Sequence, residues 1–111
     1  MDKFIIQGPT KLQGDVKISG AKNAVLPLMA ASLLASGKSI ISNVPNLRDV
    51  RTMIKLLEIL GAQVQFKRNT LTIDTTNVSG IEAPYDLVRT MRASIYALGP
   101  TLAARGKARV S

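Results

Sequence analysis

The first pattern along the chain is a pair of short apolar runs near its beginning. Residues 4–6 and 16–18 are rich in β-branched and aromatic side chains, and Gly8, Pro9 and Gly14 lie between them. Such side chains favour extended backbone, whereas glycine and proline favour turns. The pattern therefore predicts two strands joined by a turn-rich connection.

A longer and almost wholly apolar run follows at residues 24–35. It is rich in Ala, Leu and Met, Asn23 precedes it as a candidate N-cap, and Gly37 lies just past its end. This composition predicts a buried helix. Pro27 is expected in the first turn of that helix, where a missing backbone N–H removes no helical hydrogen bond.

Helical spacing returns after a further predicted strand at residues 39–44. Apolar side chains then recur every three or four positions, at Leu47, Val50, Ile54 and Leu57. This spacing predicts an amphipathic helix that runs to Leu60. Asn46, with Asp49 three residues later, fits the N-terminal cap of the helix, and Gly61 fits the position just past its end.

Strand periodicity appears next. Residues 63–66 and 70–73 both alternate polar and apolar side chains, and residues 67–69 between them have the length of a tight loop. This pattern predicts an antiparallel hairpin. Together with the preceding elements it gives a βαβαββ unit with parallel crossovers, which is typical of an open layered α/β fold.

The last part of the chain predicts a long helix and a short strand. The helix should cover residues 85–105 with an interruption near Gly99 and Pro100, and residues 107–111 have the pattern of a strand that has just begun. A complete domain rarely ends on a strand without a partner. We therefore expect a truncated sequence that includes the start of a second repeat.

Composition limits the class of protein. With 111 residues, 46% of them hydrophobic, the chain is long enough for one modest core. Its apolar runs are shorter than the roughly 18 residues of a membrane span, and its first residues turn polar too soon for a signal peptide. The sequence has no cysteine for disulfides. We expect a cytoplasmic protein without a membrane partner.

The net charge of +8 raises nucleic acid as a possible partner. However, the 15 Lys and Arg residues are spread evenly, and two Tyr and two Phe offer little surface on which bases can stack. We therefore expect no nucleic-acid partner. Basic residues that bind a phosphorylated small molecule explain the charge equally well.

Two segments carry candidate chemistry. With no His and no Cys in the sequence, catalysis and metal sites built on those residues are excluded within it. Residues 19–23 lead from a predicted strand into the apolar helix and place Lys22 at a helix N-terminus, where anions bind readily. On spacing alone, an ordinary capped helix with Lys22 in solvent fits as well.

The second segment surrounds Arg92. Arg89, Arg92 and Tyr96 recur at three and four residues and should share one helix face, where two guanidinium groups are able to bind a diphosphate. A solvated surface of the helix is the simpler alternative. Asp49, likewise, is most simply explained as the partner of a helix cap.

Several short motifs occur in order along the whole chain. The longest are Ser19-Gly20-Ala21-Lys22-Asn23, residues 83–88 and residues 90–94, and shorter ones are residues 3–4, 7–8, 43–45, 97–100 and 110–111. In this order they resemble the amino-terminal part of the UDP-N-acetylglucosamine enolpyruvyl transferases. So many ordered matches make chance similarity implausible.

This resemblance implies an inside-out α/β barrel of two domains built from βαβαββ repeats, of which this chain would hold one repeat and the start of a second. Residues 1–21 would belong to the second domain and residues 22–111 to the first. The implied reaction transfers the enolpyruvyl group of phosphoenolpyruvate to the 3-hydroxyl of UDP-N-acetylglucosamine, the first committed step of peptidoglycan synthesis. No metal or organic cofactor is implied.

The same resemblance implies roles for individual residues. Lys22 and Asn23 match residues that bind phosphoenolpyruvate, with Lys22 also catalytic, and Arg92 matches a residue that contacts UDP-N-acetylglucosamine. Asp49 is a weaker catalytic candidate. The family's glycine-rich loop, which carries a cysteine proposed to donate a proton, would begin just after Ser111.

Three alternatives remain open from the sequence. A shikimate-pathway enolpyruvyl transferase would share the lysine near the first helix but not the motif around Arg92. A small basic βαβαββ module that binds RNA, similar to the carboxyl-terminal domain of a bacterial translation initiation factor, would share the architecture alone. A truncated or split gene product without function is the third alternative.

Overall fold

The computed structural model describes residues 2–111, and its regular secondary structure begins at Lys22. In chain order the elements are α1 (Lys22–Ala31), a first 3-10 helix (Ser32–Leu34), β1 (Lys38–Ile41), α2 (Arg48–Leu60), β2 (Gln63–Lys67), β3 (Thr70–Asp74), β4 (Glu82–Ala83), α3 (Tyr85–Val88), a second 3-10 helix (Arg92–Ala97), α4 (Leu98–Arg105) and β5 (Arg109–Val110). The mixed α/β class expected from the sequence is confirmed.

The main sheet has three strands in the order β1-β3-β2, and both pairings are antiparallel. Strands β1 and β2 therefore run in the same direction, joined through α2, with β3 inserted between them. The predicted parallel crossover through α2 is therefore present, although β3 separates its two strands. The predicted crossover through α1 lacks its first strand, because residues 16–18 form no strand. The tight turn after β2 brings β3 against it at once, and β1 then pairs with the free edge of β3.

The core lies between one face of this sheet and helices α1 and α2. Val50, Met53, Leu56, Leu57 and Leu60 of α2 are buried, as the predicted amphipathic spacing requires. Burial of such side chains contributes about 1.5–3 kcal/mol each. Residues of α1 and β3 also belong to the core, among them Val25, Leu26, Met29, Leu71 and Ile73.

The two helix starts differ from the prediction. Ala21 and Leu47 occupy the N-cap positions, neither with a side-chain cap, so Asn23 and Asn46 are not the caps. Because α1 begins at Lys22, Asn23 already lies in its first turn. Pro27 is consequently the sixth residue of α1 rather than part of its first turn. At the other end of α2, Gly61 adopts a left-handed conformation with φ 112°, as predicted.

The hairpin was predicted correctly, although its turn is shorter than expected. Lys67 belongs to β2 and pairs with Thr70, so the turn consists of Arg68 and Asn69 alone. Both have positive φ, at 50° and 60°. This is the type I′ geometry that matches the twist of antiparallel strands.

The two strands predicted near the beginning of the chain are not present. Within residues 2–20 the structure has no strand, and Phe4 and Ile6 are 96% and 90% exposed. A strand needs a neighbour to take its backbone hydrogen bonds, and the described part of the chain places none beside this segment. The side chains have β propensity, but propensity alone does not make a sheet.

The long third helix is divided into three pieces. The break falls at residues 89–91, whereas Gly99 and Pro100 lie in the first turn of α4, where a missing N–H costs little.

Strand β5 has a partner, contrary to our expectation, because it pairs in parallel with β4. A two-residue strand such as β4 is too short to give a periodic signal.

Candidate functional site

Five residues singled out from the sequence line one pocket. Its volume is about 470 Å³, and its lining consists of Lys22, Asn23, Leu26, Asp49, Arg92, Ala93, Ile95 and Tyr96. These residues come from three separate elements, namely the first turns of α1 and α2 and the second 3-10 helix. The fold therefore brings together residues that are far apart in the sequence.

Packing of the apolar residues explains this convergence. Helix α1 contacts both α2 and the second 3-10 helix, and its buried residues Val25, Leu26 and Met29 belong to the shared core. The N-terminal ends of α1 and α2 are thereby held side by side. The first backbone N–H groups of a helix carry partial positive charge, so both ends favour an anion.

An ion pair joins these two ends. The Lys22 Nζ lies 3.2 Å from the Asp49 Oδ2, and the two side chains are 48% and 31% exposed. A pair this exposed contributes only about 0–1 kcal/mol to stability. It holds the ammonium group beside Asp49, and both residues line the pocket. Lys22 therefore does not point freely into solvent, and Asp49 pairs with a lysine instead of capping α2.

Arg92 and Tyr96 also line the pocket. They occupy the second 3-10 helix, where their spacing keeps both at the same pocket. Arg89 does not join them, because the chain breaks its helix after Val88. The Arg89 Nε instead lies 3.7 Å from the Asp86 Oδ1 on the exposed surface. The predicted shared face was therefore right for Arg92 and Tyr96 and wrong for Arg89.

Three apolar lining residues were not among the site residues expected from the sequence. Leu26, Ala93 and Ile95 give the pocket an apolar portion beside its two cations. Leu26 looked like an ordinary core residue, since it is buried and occurs in an apolar run. Ala93 and Ile95 flank Ser94, so only their proximity to Arg92 could have indicated a role.

The chemistry available here is that of anion binding. Lys22 and Arg92 supply positive charge, Asn23 supplies an amide, and Asp49 orients the lysine. Residues 2–111 contain no cluster of three or more His, Cys, Asp or Glu side chains that could hold a metal ion. The pocket therefore suits a phosphorylated or carboxylated small molecule with an apolar portion.

A second pocket of about 470 Å³ lies elsewhere, lined by Lys17, Ile18, Ser19, Ser42, Asn43, Arg68, Asn69 and Thr70. One of its walls is the extended segment before α1, and most of its side chains are exposed. It contains none of the residues predicted for the site. The pocket around Lys22 is the better candidate, because packed helices fix its walls.

Among the described residues, no helix has the length and apolar character needed to cross a membrane.

Comparisons with known proteins give a consistent result. The family described as EPSP synthase (3-phosphoshikimate 1-carboxyvinyltransferase) matches residues 6–111. Proteins named UDP-N-acetylglucosamine 1-carboxyvinyltransferase from Geobacter metallireducens and Escherichia coli O1:K1 / APEC are each 58% identical to this chain over 111 residues. The protein of that name from Acinetobacter baylyi is 54% identical.

Each of these alignments covers 100% of this chain but only 26% or 27% of the relative. The chain therefore spans about a quarter of the length of the curated relatives that it matches. Among solved structures, the enolpyruvyl transferase NikO from Streptomyces tendae superposes with a TM-score of 0.76 at 28% identity, over 89% of this chain and 23% of that one.

Proposed function

Because the chain belongs to the EPSP synthase family, we propose that it forms part of an enolpyruvyl transferase that acts on UDP-N-acetylglucosamine. The observation that carries this proposal is the convergence of Lys22, Asn23 and Arg92 on one pocket. The names of relatives at 54–58% identity favour this substrate over 3-phosphoshikimate. No observation favours the alternative of an RNA-binding module.

In the proposed reaction, the 3-hydroxyl of UDP-N-acetylglucosamine gives up its proton to a base as its oxygen bonds to the enol carbon of phosphoenolpyruvate, and a proton adds to the methylene carbon. Loss of phosphate and of a methyl proton then restores the double bond. Lys22 binds the phosphate or carboxylate and stabilises the negative charge during the transfer. The side chains that move the protons would come from the rest of a longer protein.

Asn23 and Asp49 assist Lys22 in this scheme. Asn23 lies in the same first turn of α1, where its amide can donate a hydrogen bond to the anion that Lys22 binds. Asp49 holds the Lys22 ammonium by the 3.2 Å ion pair. A lysine directed in this way needs less reorganisation when the anion arrives.

Arg92 is proposed to bind the nucleotide sugar. Its side chain lines the same pocket as Lys22 but comes from a different element, the second 3-10 helix. A guanidinium can donate two parallel hydrogen bonds to a phosphate. Tyr96 and Ile95 provide apolar surface beside it.

The biological setting follows from the proposed reaction. A transferase of this kind commits a nucleotide sugar to peptidoglycan, and so serves cell-wall biogenesis, cell shape and cell division from the cytoplasm. For the domain organisation, we propose that residues 1–21 join a second domain and residues 22–111 begin the first. The exposed apolar side chains of residues 4–6 support this division.

The proposal is tested with the longer enzyme that contains this sequence. Phosphate release is measured with phosphoenolpyruvate and either UDP-N-acetylglucosamine or 3-phosphoshikimate. With phosphoenolpyruvate present, we expect phosphate release with UDP-N-acetylglucosamine and none with 3-phosphoshikimate. The reverse result would assign the chain to the shikimate-pathway enzyme. Absence of phosphate release with both acceptors, together with RNA binding that weakens with salt, would support the RNA-binding alternative.

Replacing Arg92 by alanine in that enzyme should raise the KM for UDP-N-acetylglucosamine by roughly 10- to 100-fold, since a charged hydrogen bond to phosphate is lost. The KM for phosphoenolpyruvate should change little. Arg89→Ala is the matched control, because Arg89 precedes the second 3-10 helix and pairs with Asp86 on the surface. An effect of Arg92→Ala on phosphoenolpyruvate alone would contradict the assignment.

A further inference from the structure

The loop between β1 and α2 touches the chain just before Lys22. A Cβ atom added to Gly20 would clash with the carbonyl oxygen of Asn43 and would lie 3.2 Å from the Pro45 Cδ. Only glycine permits so close an approach to backbone. Asn43 itself has a positive φ of 54°, so the loop makes a sharp bend at this contact. The start of α1 therefore rests directly on this loop.

The hairpin turn holds the same loop from the other side. The Val44 N–H donates to the Asn69 carbonyl oxygen at 2.8 Å, and the Asn69 Nδ2 donates to the Val44 carbonyl oxygen at 2.9 Å. Both polar groups of the Val44 backbone are thus bonded to one residue. The Val44 side chain is buried in the core. Asn69 therefore fixes the loop at a point that the core also anchors.

The two partners of the Lys22–Asp49 ion pair lie close in sequence to these contacts. Lys22 comes just after Gly20, which contacts the loop, and Asp49 comes just after the loop itself. Lys22 is two residues beyond Gly20, and Asp49 is five residues beyond Val44. The exposed ion pair is too weak to hold two helix ends in place by itself. The packing of α1 against α2 brings the two ends together. The contacts of Asn69 with Val44, and of Asn43 with Gly20, also fix the backbone just before Lys22.

We propose that Asn69 is a positioning residue for the transfer reaction. It acts through Val44, Asn43 and Gly20 to keep the Lys22 ammonium at its place beside Asp49. This inference rests on the proposed function, because the proposed function assigns phosphoenolpyruvate binding to Lys22. Asn69 itself lines the other pocket and is not among the residues around Lys22.

The test is the Asn69→Gly variant of the longer enzyme. Glycine keeps the left-handed conformation that the turn requires, so the substitution removes the side-chain hydrogen bond to Val44 and little else. The KM for phosphoenolpyruvate should rise by about 10-fold, because small displacements of a binding group have large effects. The KM for UDP-N-acetylglucosamine should stay within about 2-fold, since Arg92 does not depend on this loop.

Arg68→Gly is the matched control. Arg68 is the other residue of the same turn and also has a positive φ. Glycine at this position should leave both KM values within about 2-fold of the original. General loss of folded enzyme would lower kcat without changing either KM, and so would count against a positioning role.

Two outcomes overturn the inference. One is that Asn69→Gly and Arg68→Gly have the same KM for phosphoenolpyruvate. The other is that Asn69→Gly raises the KM for phosphoenolpyruvate and the KM for UDP-N-acetylglucosamine by the same factor. If the unaltered enzyme performs no enolpyruvyl transfer, the proposed function fails. If it performs the transfer and Asn69→Gly has no effect, only the positioning role fails.

Discussion

Replacing Lys22 by alanine in the longer transferase should reduce kcat by about 10²- to 10³-fold, the effect typical of losing one group that stabilises developing charge. The Lys22 side chain is about half exposed, and its ion pair with Asp49 contributes little to stability. The melting temperature should therefore change by no more than a few degrees. Loss of turnover without loss of fold would separate a catalytic lysine from a structural one.

The measurement combines steady-state phosphate release with thermal unfolding of the same preparation. Lys55→Ala is the matched control, because Lys55 is an exposed lysine of α2 outside the pocket. We expect its kinetics to match those of the unaltered enzyme. Unchanged kinetics for Lys22→Ala would remove Lys22 from the reaction.

The chain of residues 1–111 by itself should show no enolpyruvyl transfer and should bind UDP-N-acetylglucosamine weakly or not at all. Its pocket is open, and the chain contains no cysteine for the proposed proton transfer. Large apolar side chains are also exposed, among them Phe4, Ile6, Leu28, Leu34 and Ile40. Such surface favours self-association or partial disorder.

This prediction is checked by three measurements on the purified chain. Phosphate release and calorimetric titration with the nucleotide sugar report function, and hydrogen exchange reports order. Protection should be highest in α2, which buries five apolar side chains, and in the hairpin from β2 to β3, whose Leu71 and Ile73 are fully buried. Robust turnover by the 111-residue chain would refute the requirement for residues beyond this sequence.

Elements with strong local patterns were predictable from the sequence. The α2 helix repeats apolar residues at helical spacing and ends just before Gly61, and the hairpin alternates polar and apolar residues on both sides of a short polar turn. Both elements are recognisable because their spacing patterns involve residues close together in the sequence. The central place of β3, the pairing of β4 with β5 and the break at residues 89–91 depend on distant partners, which periodicity does not report.

The site shows the same division. Lys22, Asn23, Asp49 and Arg92 were named from motifs, and the family that those motifs resembled is confirmed. Their convergence on one pocket, however, depends on how α1 packs against α2 and the second 3-10 helix. The partnership of Lys22 with Asp49 was not foreseen, because no local pattern joins residues in two different helices.

The central position of β3 also fixes the order in which the sheet can assemble. Thr72 pairs with Gln65, and only a two-residue turn connects their strands. Thr72 also pairs with Ile40, but the whole of α2 lies between these two residues in the sequence. Closing a short loop costs less entropy than closing a long one, so the hairpin forms first and β1 joins its open edge later. The loop that begins where β1 ends also contacts Gly20, just before Lys22, so we expect this contact to form in the same late step.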